Sequence, residues 1–193
     1  MRLRRTLTQK LQKVLWIYLT DNFIISHKGE LRLAEPVVPC NFIPITAQNC
    51  LRVRDFREGD HVVEFRNKLA KKEMGFFAEC RDRMVGSIWA TMNTEGRPVI
   101  ARTYMPLRPN EALIHDIVTG EESRGKGVGP FMVGKLVSTL LEEYPARKIM
   151  IDVNVRNKQS LRMMEKVCGH AKERVLYVST LGTLLFKITL RKL

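Results

Sequence analysis

Long apolar runs are absent from this sequence. The densest early stretch, Val14–Leu19, falls far short of the roughly 20 residues that cross a bilayer. Lys10 and Lys13 interrupt what would be the apolar core of a secretory signal, and no small-residue cleavage site follows Leu19. An Arg-rich, acid-free start is also compatible with an organellar transit segment, but the reading adopted is a cytoplasmic protein. Cysteine is sparse and unclustered. Cys40, Cys50, Cys80 and Cys168 form no C-x-x-C pair, and Cys168 has no spaced histidines beside it, so no metal site is expected. Free thiols in a reducing compartment are the expectation, with Cys80 and Cys168 as semi-buried fillers. No repeat of fixed period and no low-complexity tract occurs, which argues against a solenoid or a disordered linker. Acid is in short supply as well: 20 Asp+Glu face 33 Lys+Arg, for a formal charge of +13. That surplus favours an anionic partner without choosing among nucleic acid, a membrane surface and a phosphorylated small molecule. The cations are dispersed and lack interleaved aromatics, so specific nucleic-acid binding is not expected.

What is present is a globular composition: 193 residues, 45% hydrophobic and 27% charged, enough for one domain with its own core. Residues 2–19 place Leu3, Leu7, Leu11, Val14, Leu15 and Tyr18 at helical spacing. This predicts a basic amphipathic helix that either docks on the fold or touches a membrane surface. Pro36, Pro39 and Pro44 mark an extended connection, which divides the chain into a helix with linker over residues 1–40 and a main domain over 41–193. Strand character at Cys50–Phe56 precedes a helix over Asp60–Lys72, with Asp60 as its cap. Gly75–Cys80 and Met84–Met92 read as a hairpin turning at Arg81-Asp82-Arg83, and Pro98–Asn110 reads as irregular. A strand over Ala112–Thr119, a Gly-rich loop and a helix over Pro130–Tyr144 follow. The alternating strand Lys148–Val155, a helix over Asn157–Cys168, and strands Val175–Val178 and Leu184–Leu190 complete the chain. The pattern predicts an α/β fold, a mixed sheet covered by helices.

The informative segment is Gly120-Glu-Glu-Ser-Arg-Gly-Lys-Gly-Val-Gly129, set between a strand and a helix. Glycines at alternate positions let backbone amides converge, and the following helix offers free N–H groups and the positive end of its dipole, so the loop suits phosphate. Arg124 and Lys126 add charge there. Gly120-x-x-x-x-Gly125-Lys126 approaches a nucleotide-binding P-loop, but Gly127 stands where Ser or Thr would hold Mg²⁺, which disfavours a nucleoside triphosphatase. The dinucleotide pattern G-x-G-x-x-G is absent too.

The run Arg124-x-x-Gly127-x-Gly129 between a strand and an amphipathic helix resembles the acyl-CoA-binding motif of the GNAT superfamily of N-acyltransferases. Asn157-Lys-Gln-Ser160 resembles the family's second signature, and the likeness covers roughly residues 50–190. Asp116-Ile-Val-Thr119 is also similar to a bacterial subgroup associated with surface-polysaccharide biosynthesis. The resemblance implies a mostly antiparallel central sheet flanked by helices, here with an N-terminal helical extension. It implies acetyl-CoA or another short acyl-CoA as co-substrate. The amides of Arg124, Gly125, Lys126, Gly127, Val128 and Gly129 would hold its pyrophosphate. Ile117, Val118 and Thr119 would pair with the pantetheine arm, and Asn157 and Ser160 would flank it. Pro130, which has no N–H, removes one contact available to some relatives.

Amide formation needs a neutral amine, and an alkyl ammonium with a pKa of about 10.4 is less than about 0.1% deprotonated at pH 7. A base or proton relay is therefore expected beside the acceptor, with a backbone donor for the developing oxyanion. His115 or Asp116 is the candidate base; as strand neighbours they should face opposite ways. Glu111, on the parity of His115, is a third candidate. Many relatives carry a Tyr four residues after the Ser/Ala as general acid, whereas this chain has Met164. Tyr177 could replace it, or the thiolate could leave unprotonated or take its proton from water. The implied activity is acetyl transfer to a primary amine, such as an amino sugar or nucleotide-linked sugar. Protein or peptide acetylation and a non-catalytic acyl-CoA-binding module are the alternatives. The expected partner is a small amine, with an anionic one compatible with the charge; membrane contact through residues 2–19 and a homodimer remain open.

Overall fold

The computed structural model describes residues 15–32, 35–95, 99–102, 105–180 and 183–192. Among these residues ten strands form: β1 (Leu15–Ile25), β2 (Asn41–Pro44), β3 (Met74–Cys80), β4 (Arg83–Met92), β5 (Val99–Arg102), β6 (Met105–Leu107), β7 (Glu111–Thr119), β8 (Lys148–Asn154), β9 (Glu173–Thr180) and β10 (Thr183–Lys192). Among the described residues three α-helices accompany them: α1 (Val62–Ala70), α2 (Val128–Glu142) and α3 (Lys158–Cys168). Eight strands make one sheet in the order β10-β9-β1-β8-β7-β4-β3-β2, and β5 and β6 pair separately. Neighbouring strands run antiparallel except β7 and β8, which are parallel. The result is the mixed, mostly antiparallel sheet flanked by helices that the sequence predicts.

The core lies on both faces of the sheet. On one face α2 and α3 press Met132, Leu136, Val137 and Met164 against Phe23, Ile25, Ile114 and Ile151. Leu136, Val137 and Leu140 are fully buried, and each contributes roughly 1.5–3 kcal/mol by leaving water. On the other face α1 and a 3-10 turn at Cys50–Asp55 close over Phe65, Phe77 and Trp89. The β5–β6 hairpin covers the rest of that face, with Met105 and Leu107 on Leu113, Met150 and Tyr177. The hairpin between β3 and β4 turns on Arg81 and Asp82, both at positive φ (51° and 58°), as the right-handed twist of a two-residue connection demands.

Several expectations are corrected. The helix foreseen over residues 2–19 is a strand from Leu15 onward, and residues 1–14 lie outside the described residues. Helical spacing of Leu15 and Tyr18 is overridden because β1 hydrogen-bonds on both edges, to β8 and β9. Cys50–Phe56 is 3-10 rather than strand, with Cys50 and Val53, three residues apart, both turned inward. Asp60 caps nothing: α1 starts at Val62 behind His61, which makes no side-chain cap bond. Pro98–Asn110 contains β5 and β6. Cys40 and Cys80 are not free thiols but a disulfide, Cα–Cα 4.6 Å. Pairing of Asn41 with Glu79 on β2 and β3 carries the two cysteines, 40 residues apart in sequence, into register. Of the free cysteines, Cys50 is buried, and burial pushes the Cys168 thiol up to about 12. No helix among the described residues is long and apolar enough to cross a membrane.

Candidate active site

The site is built on β7. Its ladder to β8 ends at Ile114–Ile151, although β7 continues to Thr119 and β8 to Asn154. Beyond that point the two parallel strands separate, and the β8-side edge of Ile117, Val118 and Thr119 faces a cleft. The opposite edge stays paired with β4 through Thr119.

A bulge precedes this free edge. Trp89 opposes His115 and Ser87 opposes Val118, so β7 carries one residue more than β4 across the interval. Asp116 is the surplus residue, in the left-handed region at φ 47°. The bulge cancels the strict alternation expected for His115 and Asp116, and both side chains point to the α1 face. His115 is 8% exposed; its Nε2 lies 3.1 Å from Thr91 Oγ1 and 3.3 Å from Glu73 Oε2. Asp116 meets Lys68 Nζ, itself 5.1 Å from the Trp89 ring, and lies 3.5 Å from Arg57 Nη1. Lys68 also binds Glu64 at 2.9 Å. Burial raises the Glu64 carboxyl, but hydrogen bonds from Lys68 and His61 outweigh it and leave Glu64 below its ordinary range. Asp116 is therefore a brace between two cations, whereas His115 sits in a hydroxyl–carboxylate pair. Glu111 accepts the Arg108 N–H at 2.9 Å and pairs with Lys148 at 3.3 Å, at the far end of the strand.

After Thr119 the chain passes through a 3-10 turn at Glu121–Ser123 into the glycine loop. Gly125 and Gly127 adopt φ 77° and 80°, and Gly127 is the residue before α2. The amides of Gly125, Lys126 and Gly127 donate to no acceptor among the described residues, and those of Val128 and Gly129 lie in the unpaired first turn of α2. The Arg124 amide is already bonded to the Glu121 carbonyl at 3.2 Å, so the cradle starts one residue later than expected. Gly129 lets α2 approach α3: a Cβ there would stand 2.7 Å from Met163 Sδ.

These elements enclose a cavity of about 810 Å³. Ile117, Val118, Thr119, Arg124, Gly125, Gly127, Val128, Gly129, Asn157 and Ser160, all named from the sequence, line it together. Lys126 does not; it lines a neighbouring cavity, and its carbonyl accepts the Val37 N–H at 3.0 Å. The residues around Pro36 thus form a strap against the loop, Pro36 Cα being 3.1 Å from where a Gly127 Cβ would stand. Asn157 Oδ1 caps α3 by accepting the Ser160 N–H at 3.1 Å, which leaves its amide NH₂ for a ligand. Arg162 and Lys166, one turn apart on α3, add charge that was not foreseen, although their i,i+4 spacing was readable. Glu73, Thr91, Lys68 and Arg57 were also missed, since only the tertiary fold brings them to β7. Orphan amides, three cations and no carboxylate in the lining fit a CoA pyrophosphate, and the open β7 edge fits its amide-bearing arm.

Met164, at the position of the expected acid, is fully buried in the core beneath α3. Tyr177 does not replace it. It lies in the cluster under β5–β6, lines neither cavity, and its hydroxyl accepts from Asn22 Nδ2 at 3.2 Å. Burial pushes it up to about 12.

Comparison with known proteins agrees with this geometry. A GNAT-family protein from Novosphingobium aromaticivorans superposes with TM-score 0.54 at 12% identity, over 86% of this chain and 65% of its own. A Drosophila protein gives 0.59 at 8% identity, over 94% and 57%. An acetyltransferase candidate from Agrobacterium tumefaciens gives 0.50 at 17%, over 68% and 93%. The chain spans less than two-thirds of the length of the first two. No curated protein matches the sequence significantly. The profile of the Acetyltransferase (GNAT) family matches residues 46–170, well over half the sequence, and the chain belongs to that family.

Proposed function

We propose that the protein is an acyl-CoA-dependent N-acetyltransferase that moves an acetyl group to the primary amine of a small molecule by direct attack. The observation that carries this reading is the continuity of one cavity, from the unpartnered amides of the glycine loop to the free edge of β7 beside the bulge. Acetyl-CoA, when bound, supplies the activated acyl thioester. Gly125–Gly129 hold its phosphates, with Arg124, Arg162 and Lys166 around them, and the Asn157 amide orients the arm. The N–H groups on the open edge of β7 offer the donor that a developing carbonyl charge requires.

His115 lines neither cavity, so the ammonium proton passes to it through water rather than by direct contact. Glu73 and Thr91 engage Nε2, which leaves Nδ1 to take the proton, and the Glu73 carboxylate and Thr91 hydroxyl fix the orientation of the ring. Asp116 and Glu111, tied to cations, set the shape of the strand rather than carry protons.

The test is coupled turnover. Purified protein with acetyl-CoA and a panel of primary amines should release free CoA thiol only when an acceptor is present. His115→Gln should lower kcat by about 10²- to 10³-fold with KM for acetyl-CoA unchanged. Thiol release by His115→Gln at the wild-type rate would remove His115 from the mechanism. Absence of turnover with every amine, despite thermal stabilisation by acetyl-CoA, would favour a non-catalytic binding protein.

A further inference from the structure

On the other side of β7 and the loop lies a second cavity of about 800 Å³, which shares Val118, Thr119, Ser123, Arg124 and Val128 with the first. Its outer wall comes from the connection into α1 and from the tip of the β3–β4 hairpin, which contribute Arg54, Arg57, Arg81 and Arg83. Carboxylates line it too, but they are committed or turned away. Asp55 binds Arg52 at 3.3 Å and the Met84 N–H at 3.1 Å. The Glu121 and Glu122 side chains are each 89% exposed, and come no nearer than 3.9 Å to Arg124 and 4.0 Å to Arg83. Glu58 is exposed at the rim. Among the described residues Arg54 and Arg81 have no side-chain partner. Arg57 Nη1 is buried, makes no hydrogen bond, and reaches the bulge only through the 3.5 Å approach to Asp116. Arg57 is shared with Asp116 and, at 3.9 Å, with Glu64, so the guanidinium forks suited to an incoming oxyanion are those of Arg54 and Arg81.

Resting on the acetyltransferase reading above, we infer that the acceptor amine carries an anionic oxygen group, phosphate or carboxylate, held in this arginine-walled cleft while its amine meets the thioester at the shared wall of Val118 and Thr119. Arg54 and Arg81 lie outside the cavity assigned to acetyl-CoA, so they select the acceptor and leave the donor alone.

Matched acceptors test this: a neutral hexosamine, its phosphate ester, and the corresponding amino-sugar acid. Wild-type protein should show kcat/KM at least tenfold higher for an anionic member than for the neutral one, and the ester and the acid separate phosphate from carboxylate. The Arg54→Ala/Arg81→Ala variant should lose that preference through KM, with KM for acetyl-CoA unchanged. Equal kcat/KM across the three acceptors, or a preference that survives the double substitution, overturns the inference and leaves the acetyltransferase reading intact. Should no amine be turned over, that reading fails and the cleft is judged by binding. With CoA held saturating, the hexosamine phosphate should raise the Tm of wild type but not of the double variant; no shift in wild type overturns the inference.

Discussion

Gly125 and Gly127 share a left-handed backbone, yet a methyl group should affect them differently. At Gly125 a Cβ meets nothing within 4 Å, so Gly125→Ala costs only conformational strain of about 1–2 kcal/mol. At Gly127 the same strain adds to a contact of 3.1 Å with Pro36 Cα, which is backbone and cannot swing away. Titration calorimetry should find acetyl-CoA affinity more than tenfold lower in Gly127→Ala, and reduced much less in Gly125→Ala. Met164 offers the opposite experiment. Restoring the tyrosine that relatives carry forces a larger, polar side chain into a fully buried position, so Met164→Tyr should lower stability by about 1–3 kcal/mol in urea and leave kcat no higher. The motif residues were legible because the loop's chemistry is local: the alternating Gly125, Gly127 and Gly129 announce an anion cradle by spacing, and the resemblance of Arg124-x-x-Gly127-x-Gly129 to a family motif implies its ligand. The environment of His115 was not, because Glu73 and Thr91 reach it from two other strands, and the bulge that turns Asp116 the same way has no signature in the sequence.

At the scale of elements, α1 ends in a cap that uses the wrong residue. Lys72 takes φ 60° while the Lys72 and Glu73 amides bond back to Leu69 and Lys68 at 2.9 and 3.1 Å. This reverse turn is one that glycine adopts without cost. Lys72→Gly should therefore raise stability by about 1 kcal/mol, read as a higher urea midpoint with unchanged slope. The strands and helices of the second half were legible nearly to the residue, since Lys148–Asn154 alternates and α2 and α3 follow a helical period. The failures share a cause. Leu15–Ile25 and Cys50–Asp55 are segments whose local preference is weak, and sheet pairing decides the first and packing under Trp89 the second. The Cys40–Cys80 bridge was hidden for the same reason: register on β2 and β3, and not spacing, brings the sulfurs together.

For the whole molecule, that bridge closes a loop of 40 residues, which in the chain-entropy account is worth about 4 kcal/mol. Reductant, or Cys40→Ser, should lower the urea midpoint accordingly. The bridge also anchors the strap on the glycine loop, so reduction should weaken acetyl-CoA binding as well. Alkaline pH acts elsewhere. The unfolded chain loses the Cys168 and Tyr177 protons near 9 and 10, whereas burial holds both to about 12 in the folded state. Between those values the unfolded state binds fewer protons, so stability falls as pH rises. Tyr177→Phe should flatten that decline between pH 10 and 12 in a series of urea titrations.

The position of β1 has a consequence for how the chain assembles. β9 and β10 join the rest of the sheet only through β1, and the partner of β1 nearest in sequence is Ile149, opposite Ile25. During synthesis, which delivers the N-terminus first, this strand emerges with no neighbour and must wait until most of the chain has followed it. The remaining sheet, β2 to β8, can form from contacts closer in sequence, while insertion of β1 carries the high contact order that slows folding. β1 is thus made before its partners and paired among the last, and until then both of its edges are open to other chains.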